Sequence, residues 1–366
     1  SKHLLASLIH SERQSMSDQQ SSETAPSPGH GLAWSSAHRA EIQLPESTRP
    51  RLVVVVDTEA EFDWTADPDA KAKEVTAIKN IHRIQEIFDE YQITPCYVVD
   101  YPIATQRESV DILNSIFSSR TCEIGAHLHP WVSPPLGEDL CRSNMYPGNL
   151  GRQLEHDKLE LLTDTIEASF GVRPQVYKAG RYGIGSNTFD VLRALGYKVD
   201  LSVCPPFDYS GDGGPDFCRA AATPYWFGDD LSMLEIPLSG SFVGVAGGMS
   251  GPLHHVAGYF ELIRLRGILA RLNIVDRLLL SPEGHTFAEH KKLVNFLLQN
   301  GVRTFTWRFH SPSVSPGMTI YTQNDRELRA FLDSFRRCFD FFLGELDGVS
   351  TTPLRLRQEL KATADF

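Results

Sequence analysis

Leu52-Val53-Val54-Val55-Val56-Asp57-Thr58-Glu59 is the most informative segment of the chain, because an unbroken apolar run ends there in two carboxylates. A run of this length predicts a β-strand that is covered on both faces, as the strands of parallel sheets are. Side chains two residues apart in an extended segment share a face. Asp57 and Glu59 are therefore expected to point the same way where the strand ends.

Strands and helices alternate from this strand onward. Further strands are predicted at 93–99, 123–127, 175–178, 198–201, 277–280 and 302–307, with short strands at 226 and 234–237. Helices are predicted at 75–91, 109–117, 154–170, 187–195, 255–272, 287–299 and 325–343. Repeated β–α units favour a parallel sheet, closed or nearly closed into an α/β barrel. In such barrels the chemistry gathers at the C-terminal ends of the strands.

Composition predicts one large globular domain with terminal extensions. The chain has 366 residues, of which 41% are hydrophobic and 22% charged, enough to bury a sizeable core. Residues 1–49, whose later part is rich in Ser, Gln, Glu and Pro, are expected to form a flexible N-terminal arm. The barrel is expected at 50–346, followed by a C-terminal tail at 347–366.

Charge and cysteine usage narrow the class of partner and the compartment. The net charge of -11 disfavours a nucleic-acid partner. The six cysteines contain no Cys-x-x-Cys pair, which suits free thiols in a reducing compartment. There is no apolar stretch of about 18 residues, and the opening segment is too short for a signal peptide. These features predict a cytoplasmic protein without a membrane span and leave its oligomeric state open.

Two histidines end another predicted strand, in Glu123-Ile124-Gly125-Ala126-His127-Leu128-His129-Pro130-Trp131. His127 and His129 share a face by the same two-residue rule and can converge on one cation. Together with Asp57 and Glu59 they form a plausible ligand set for zinc or another divalent transition ion.

Other strand ends also carry polar residues. Arg181 follows the strand at 175–178 and could clamp a carboxylate, or be a solvated residue of a turn. Asp200 ends the next strand. His310 ends the last one and is a candidate general acid, although a single histidine at such a place is usually structural. Glu283 and His285 precede a helix and are further candidates for the rim.

In their order along the chain these elements resemble the five motifs of the NodB-type polysaccharide deacetylases, carbohydrate esterase family 4. The resemblance covers about residues 51–346, and the segment 309–321 is most similar to the WalW-like branch. It implies a distorted or incomplete (β/α) barrel of the NodB deacetylase type. The implied activity is metal-dependent removal of an N-acetyl group from an amino sugar or a surface-polysaccharide precursor, with Zn²⁺ as the first choice of metal.

The resemblance also implies roles for individual residues. Thr58 occupies the position of the family's acidic ligand, so that role passes to Glu59 or to Asp57 itself. Trp131 occupies the position of the second histidine ligand, so His129 substitutes. The roles implied are base for Asp57, its orientation for Arg181, an acid pair for Asp200 and His310, metal ligands for Glu59, His127 and His129, and substrate contacts for Tyr182, Trp131 and Ser311.

Two alternatives stay open from the sequence. One is a catalytically inactive sugar-binding or scaffold protein on a deacetylase fold, because Thr58 and Trp131 occupy family ligand positions. The other is an amidohydrolase-type C–N hydrolase, which also uses a His-x-His pair. In that class the pair ends the first barrel strand and an aspartate comes late, whereas here Asp57 comes first.

Overall fold

The computed structural model describes residues 39–64, 66–119, 122–244 and 276–363. The strands are β1 (Arg39–Glu41), β2 (Arg51–Thr58), β3 (Cys96–Val99), β4 (Glu123–Leu128), β5 (Val176–Ala179), β6 (Val199–Asp200), β7 (Tyr225–Phe227), β8 (Met233–Glu235), β9 (Gly240–Val243), β10 (Asp276–Leu279), β11 (Thr304–His310) and β12 (Val349–Thr351). The α-helices are α1 (His82–Glu90), α2 (Tyr101–Thr105), α3 (Arg107–Ser118), α4 (Arg152–Phe170), α5 (Thr188–Ala194), α6 (Phe287–Gln299), α7 (Asp325–Phe339) and α8 (Pro353–Thr363).

Within these ranges ten strands form one sheet, in the order β1-β7-β8-β6-β5-β4-β3-β2-β11, with β12 also pairing with β2. Each pair of neighbours from β8 and β6 through to β2 and β11 is parallel. The pairs β1–β7 and β7–β8 are antiparallel. β9 and β10 form a separate antiparallel pair. The other edge of β11 faces this pair, and the Arg308 amide donates a hydrogen bond to the carbonyl of Leu280, just after β10, at 3.3 Å. The predicted distorted (β/α) barrel is thereby confirmed.

β2 is buried on both faces, as its unbroken apolar run predicts. Leu52, Val54 and Val56 belong to a large apolar cluster between the sheet and the helices, the outer cluster. Val53 and Val55 point the other way, into a smaller cluster formed mainly by strand residues, the inner cluster. This alternation puts Asp57, two residues after Val55, on the inner side of the sheet at its C-terminal edge.

Both ends of the described chain join the sheet. β1, which lies in the segment expected to be a flexible arm, pairs with β7. β12 lies parallel to the first residues of β2, and Leu356 and Leu360 of α8 are buried in the inner cluster. The segment expected to be a tail therefore supplies main-chain pairing and apolar side chains that the barrel uses.

Two further expectations meet the limits of the described residues. The helix expected at 255–272 and the first 38 residues lie outside them. Among the helices that are described, none combines the length and the apolarity needed to cross a membrane.

Candidate metal centre and active site

Three buried side chains converge at the C-terminal ends of β2 and β4. Oε2 of Glu59 lies 3.2 Å from Nε2 of His127 and 2.8 Å from Nε2 of His129. The three donor atoms all lie within 4.8 Å of one another. The two-residue spacing explains the convergence, because it aims both imidazoles at the same face as Glu59.

The imidazoles have the protonation that metal ligands need. Nδ1 of His127 lies 2.8 Å from the Lys178 carbonyl oxygen, which can only accept, so Nδ1 carries the hydrogen. Burial and the neighbouring His129 lower the pKa of His127 to about 4. Burial also lowers the pKa of His129 well below its ordinary value. Both rings are therefore neutral near pH 7.

This donor set fits a transition metal. With its hydrogen on Nδ1, His127 faces Glu59 with an acceptor nitrogen, so two acceptors lie 3.2 Å apart in a buried place. A cation between them removes that unfavourable contact. Two imidazole nitrogens and one carboxylate, with a further position open, are the ligands of many catalytic zinc sites.

Asp57 lies beside this group and is held as a carboxylate. Its Oδ2 accepts a hydrogen bond from the ammonium of Lys178 at 2.8 Å, and Nε of Arg308 lies 3.5 Å away. Burial raises the pKa of Asp57, but the charges of Lys178 and Arg308 outweigh it and hold that pKa below the usual range. Its Oδ1 is buried without a hydrogen-bond partner among the described residues. One oxygen is thus fixed and the other is available.

His310 lies opposite Asp57 in the register of β11 and β2. Its Nδ1 is 2.8 Å from Oε2 of Glu283, and its Nε2 is 3.8 Å from Oδ2 of Asp57. Burial lowers the pKa of His310, but the charges of Glu283 and Glu59 and the hydrogen bond to Glu283 together raise it by more, so the pKa ends above its ordinary value. His310 is thus poised to carry a proton toward the cluster.

Asp200 does not form the expected pair with His310. Val199 and Leu201 belong to the inner cluster, so Asp200 between them faces the opposite side of the sheet. There it accepts from Ser202 and lies opposite Glu235 in the register of β6 and β8. The partner of His310 is instead Glu283, named from the sequence only as a rim candidate.

Arg181 contacts Asp212 and not Asp57, the carboxylate that it was expected to orient. Its guanidinium donates to Asp212 and, at 2.9 Å, to the hydroxyl of Tyr146. The chain turns out of β5 at this point, with a φ of 52° at Arg181, which carries the side chain away from Asp57. The cations beside Asp57 are instead Arg308, from the neighbouring strand β11, and Lys178, which reaches it from β5.

The three residues expected to contact substrate are buried and touch the residues of the centre. Trp131 is buried, with its ring centroid 4.6 Å from that of His129. The hydroxyl of Ser311 accepts from the amide of Glu59 at 3.2 Å. Tyr182 is buried with its ring 4.5 Å from the site's lysine ammonium.

Residues that sequence reasoning missed complete the surroundings. Phe62 and Trp64 are half-buried, with ring centroids 4.9 and 5.7 Å from that of His129. Trp64 also lies 6.1 Å from His310. Strand parity could have found Arg308, because it lies two residues before His310 and shares its face of β11. The contact of Lys178 with Asp57 has no such local signal.

Comparison with known proteins places the fold. No protein-family model and no curated protein matches the chain. Its structure is similar to one from Mycobacterium smegmatis described as a putative polysaccharide deacetylase, with 15% identity, 88% of this chain and 94% of that chain covered, and a TM-score of 0.50. It is also similar to Puue allantoinase, with 13% identity, coverage of 92% and 95%, and a TM-score of 0.52. At these identities the likeness shows a shared fold.

Proposed function

We propose that the protein is a metal-dependent hydrolase that removes an N-acyl group, most simply acetyl, from an amino sugar or glycan precursor. The observation that carries this proposal is the buried group of Glu59, His127 and His129 beside two further groups. Asp57 has a carboxylate oxygen with no hydrogen-bond partner among the described residues, and His310 has a raised pKa that favours its protonated form. These are the parts that amide hydrolysis requires: a metal position, a base and an acid.

Each group has one task in this reaction. Glu59, His127 and His129 would hold the metal, with Zn²⁺ as the first candidate, and when bound it supplies Lewis acidity and lowers the pKa of water. Asp57 accepts the proton of the attacking water at Oδ1, while Lys178 occupies Oδ2. His310 donates a proton to the departing nitrogen, so that a free amine and a carboxylic acid leave.

The surroundings favour a sugar. The half-buried rings of Phe62 and Trp64 border the site beside polar groups, an arrangement suited to the apolar face of a sugar ring. The six cysteines are free thiols, which supports a cytoplasmic protein acting on a precursor rather than on a finished wall polymer. Within the deacetylases we assign it to the WalW-like branch on the segment 309–321.

Metal content and acetate release test the proposal together. Purified protein should carry about one transition ion per chain and release acetate from N-acetylated amino sugars. His127→Ala with His129→Ala should remove both properties while the far-ultraviolet circular dichroism stays unchanged. His156→Ala is the matched control, because among the described residues His156, Asp157 and Glu160 form a second, more exposed group that could hold a cation. Its loss should leave metal content and acetate release unchanged.

Two outcomes would contradict this assignment. Stoichiometric metal in the double histidine variant would place the ion elsewhere. Bound metal without acyl release from any N-acylated amino sugar would favour the inactive sugar-binding protein, because Trp131 occupies a family ligand position.

A further inference from the structure

We infer that Lys178 is a positioning residue that keeps Asp57 out of the metal's ligand set and thereby makes it the base, an inference that rests on the proposed function. Two carboxylates share one face at the end of β2, and by residue type either could bind a cation. Lys178 of β5 decides between them. It does so by an ion pair to Asp57 alone.

The distances separate the two carboxylates. Oε2 of Glu59 lies within 3.2 Å of Nε2 of both histidines, and the close donor group at this site consists of these three residues. Asp57 is not among them. Its Oδ2 is 2.8 Å from Nζ of Lys178, in a pair whose side chains are each 1% exposed. Two buried charges at this distance hold each other firmly, because neither is solvated by water.

The backbone and the side chain of Lys178 act on different residues. Its carbonyl oxygen accepts from Nδ1 of His127 at 2.8 Å, and its ammonium donates to Asp57. A side-chain substitution at Lys178 leaves the carbonyl in place. It therefore removes the hold on Asp57 without removing the hydrogen bond that orients the histidine.

Removing the ammonium should strengthen metal binding and slow turnover. The ammonium is a positive charge that opposes binding of a cation beside it. Without it the buried Asp57 carboxylate loses its closest cation and keeps the charge of Arg308, whose Nε lies 3.5 Å from Oδ2. Both effects strengthen cation binding, the second because Asp57 can then turn to the metal. A carboxylate that binds the metal no longer accepts a proton from water. Tighter metal binding with slower turnover is thus the signature of this role, whereas damage to the fold weakens both.

The experiment measures Zn²⁺ affinity of the metal-free protein by competition with a fluorescent chelator, and acetate release from N-acetylated chitooligosaccharides. Lys178→Met should bind Zn²⁺ on the order of tenfold more tightly. Its kcat should fall by about 10²-fold or more while KM stays close to that of the wild type. Lys178→Gln, which keeps a polar donor without the charge, should show the same signs and serves if the Met variant does not fold.

A double variant tests whether Lys178 acts through Asp57. Measured against Asp57→Asn alone, the gain in Zn²⁺ affinity from Lys178→Met should shrink to the part that comes from the lost positive charge. The kcat of the double variant should be no lower than that of Asp57→Asn alone, because residues that act as a unit are not additive.

Lys158→Met is the matched control for the loss of a buried ammonium. Lys158 of α4 is as buried as Lys178, but it donates to the carbonyls of Ser133 and Pro135, each at 2.7 Å, and pairs with Glu138 at 2.9 Å. Its removal should lower the melting temperature without raising Zn²⁺ affinity.

The outcomes separate the inference from the function beneath it. Wild-type protein that binds Zn²⁺ and releases acetate, with a Lys178→Met variant whose Zn²⁺ affinity is unchanged or weaker, overturns the inference alone. Wild-type protein that neither binds Zn²⁺ nor releases acetate overturns the proposed function and the inference with it.

Discussion

Gly180 is the position where a single added methyl group should weaken metal binding at the candidate centre. A Cβ built on Gly180 would lie 2.8 Å from Cε1 of His129, and closer still to its Nδ1 and to the carbonyl oxygen of Leu128. Real Cβ atoms essentially never approach other atoms within 3.0 Å. Because the Leu128 oxygen belongs to the sheet, the main chain at residue 180 must shift away from it, and the ring of His129 must move as well.

The size of that movement decides the effect. Ordinary contact begins near 3.4 Å, so Cε1 must retreat from 2.8 Å by roughly 0.6 Å, and the closer Nδ1 by more. Ligand distances in metal sites vary by only about 0.2 Å. Gly180→Ala should therefore weaken Zn²⁺ binding by about 10- to 100-fold, as loss of a supporting contact does. The added methyl group should also cost about 1–3 kcal/mol of folding stability.

Chelator competition for Zn²⁺ and thermal unfolding of the metal-free protein measure these two effects. Gly151→Ala is the matched control, because a Cβ there meets no atom within 4 Å and its φ is -59°. Gly180→Ala with Zn²⁺ affinity within twofold of the Gly151→Ala value would refute the argument, since His129 would then tolerate the displacement or not be a ligand.

Three further predictions concern pH and substrate. Glu283→Gln removes the charge that raises the pKa of His310, so the alkaline limb of kcat/KM, where the protonated acid is lost, should move to lower pH; an unmoved limb excludes His310 as the acid. Burial raises the pKa of Asp200 from 3.8 to about 6, so the folded state binds a proton that the unfolded chain releases, and stability should fall as pH rises through that window. Asp200→Asn should flatten this fall in the melting temperature, and an identical pH slope would contradict it. Trp64→Ala should raise KM roughly threefold to tenfold with Zn²⁺ affinity unchanged, and an unaltered KM would remove Trp64 from the substrate site.

Periodicity predicted the core of the fold because burial determines it. The helix expected at 287–299 coincides with α6, and the strand expected at 123–127 is β4 with one residue more. The strand β12 and the helix α8 escaped prediction. Their sequence is short and mixed in polarity, and only the long-range pairing of Val349–Thr351 with β2 makes them part of the sheet.

The same distinction holds at the site. Local spacing brought His127 and His129 together with Glu59, because neighbours in a strand obey the pleat. Partners from distant segments did not follow from spacing. Glu283 reaches His310 from the loop after β10, and Lys178 reaches Asp57 across the barrel interior from β5. Such pairs depend on how the barrel closes, which no local pattern encodes.

The position of β2 between early and late strands sets the order in which the protein can mature during synthesis. Arg51 pairs with Thr304 of β11 and Val349 of β12, roughly 250 and 300 residues further along the chain. The ribosome therefore releases this valine-rich segment long before its partners exist. Until then it is an exposed apolar strand, the kind of segment that aggregates or recruits chaperones. Truncation before β12 should accordingly give insoluble protein rather than a smaller active enzyme.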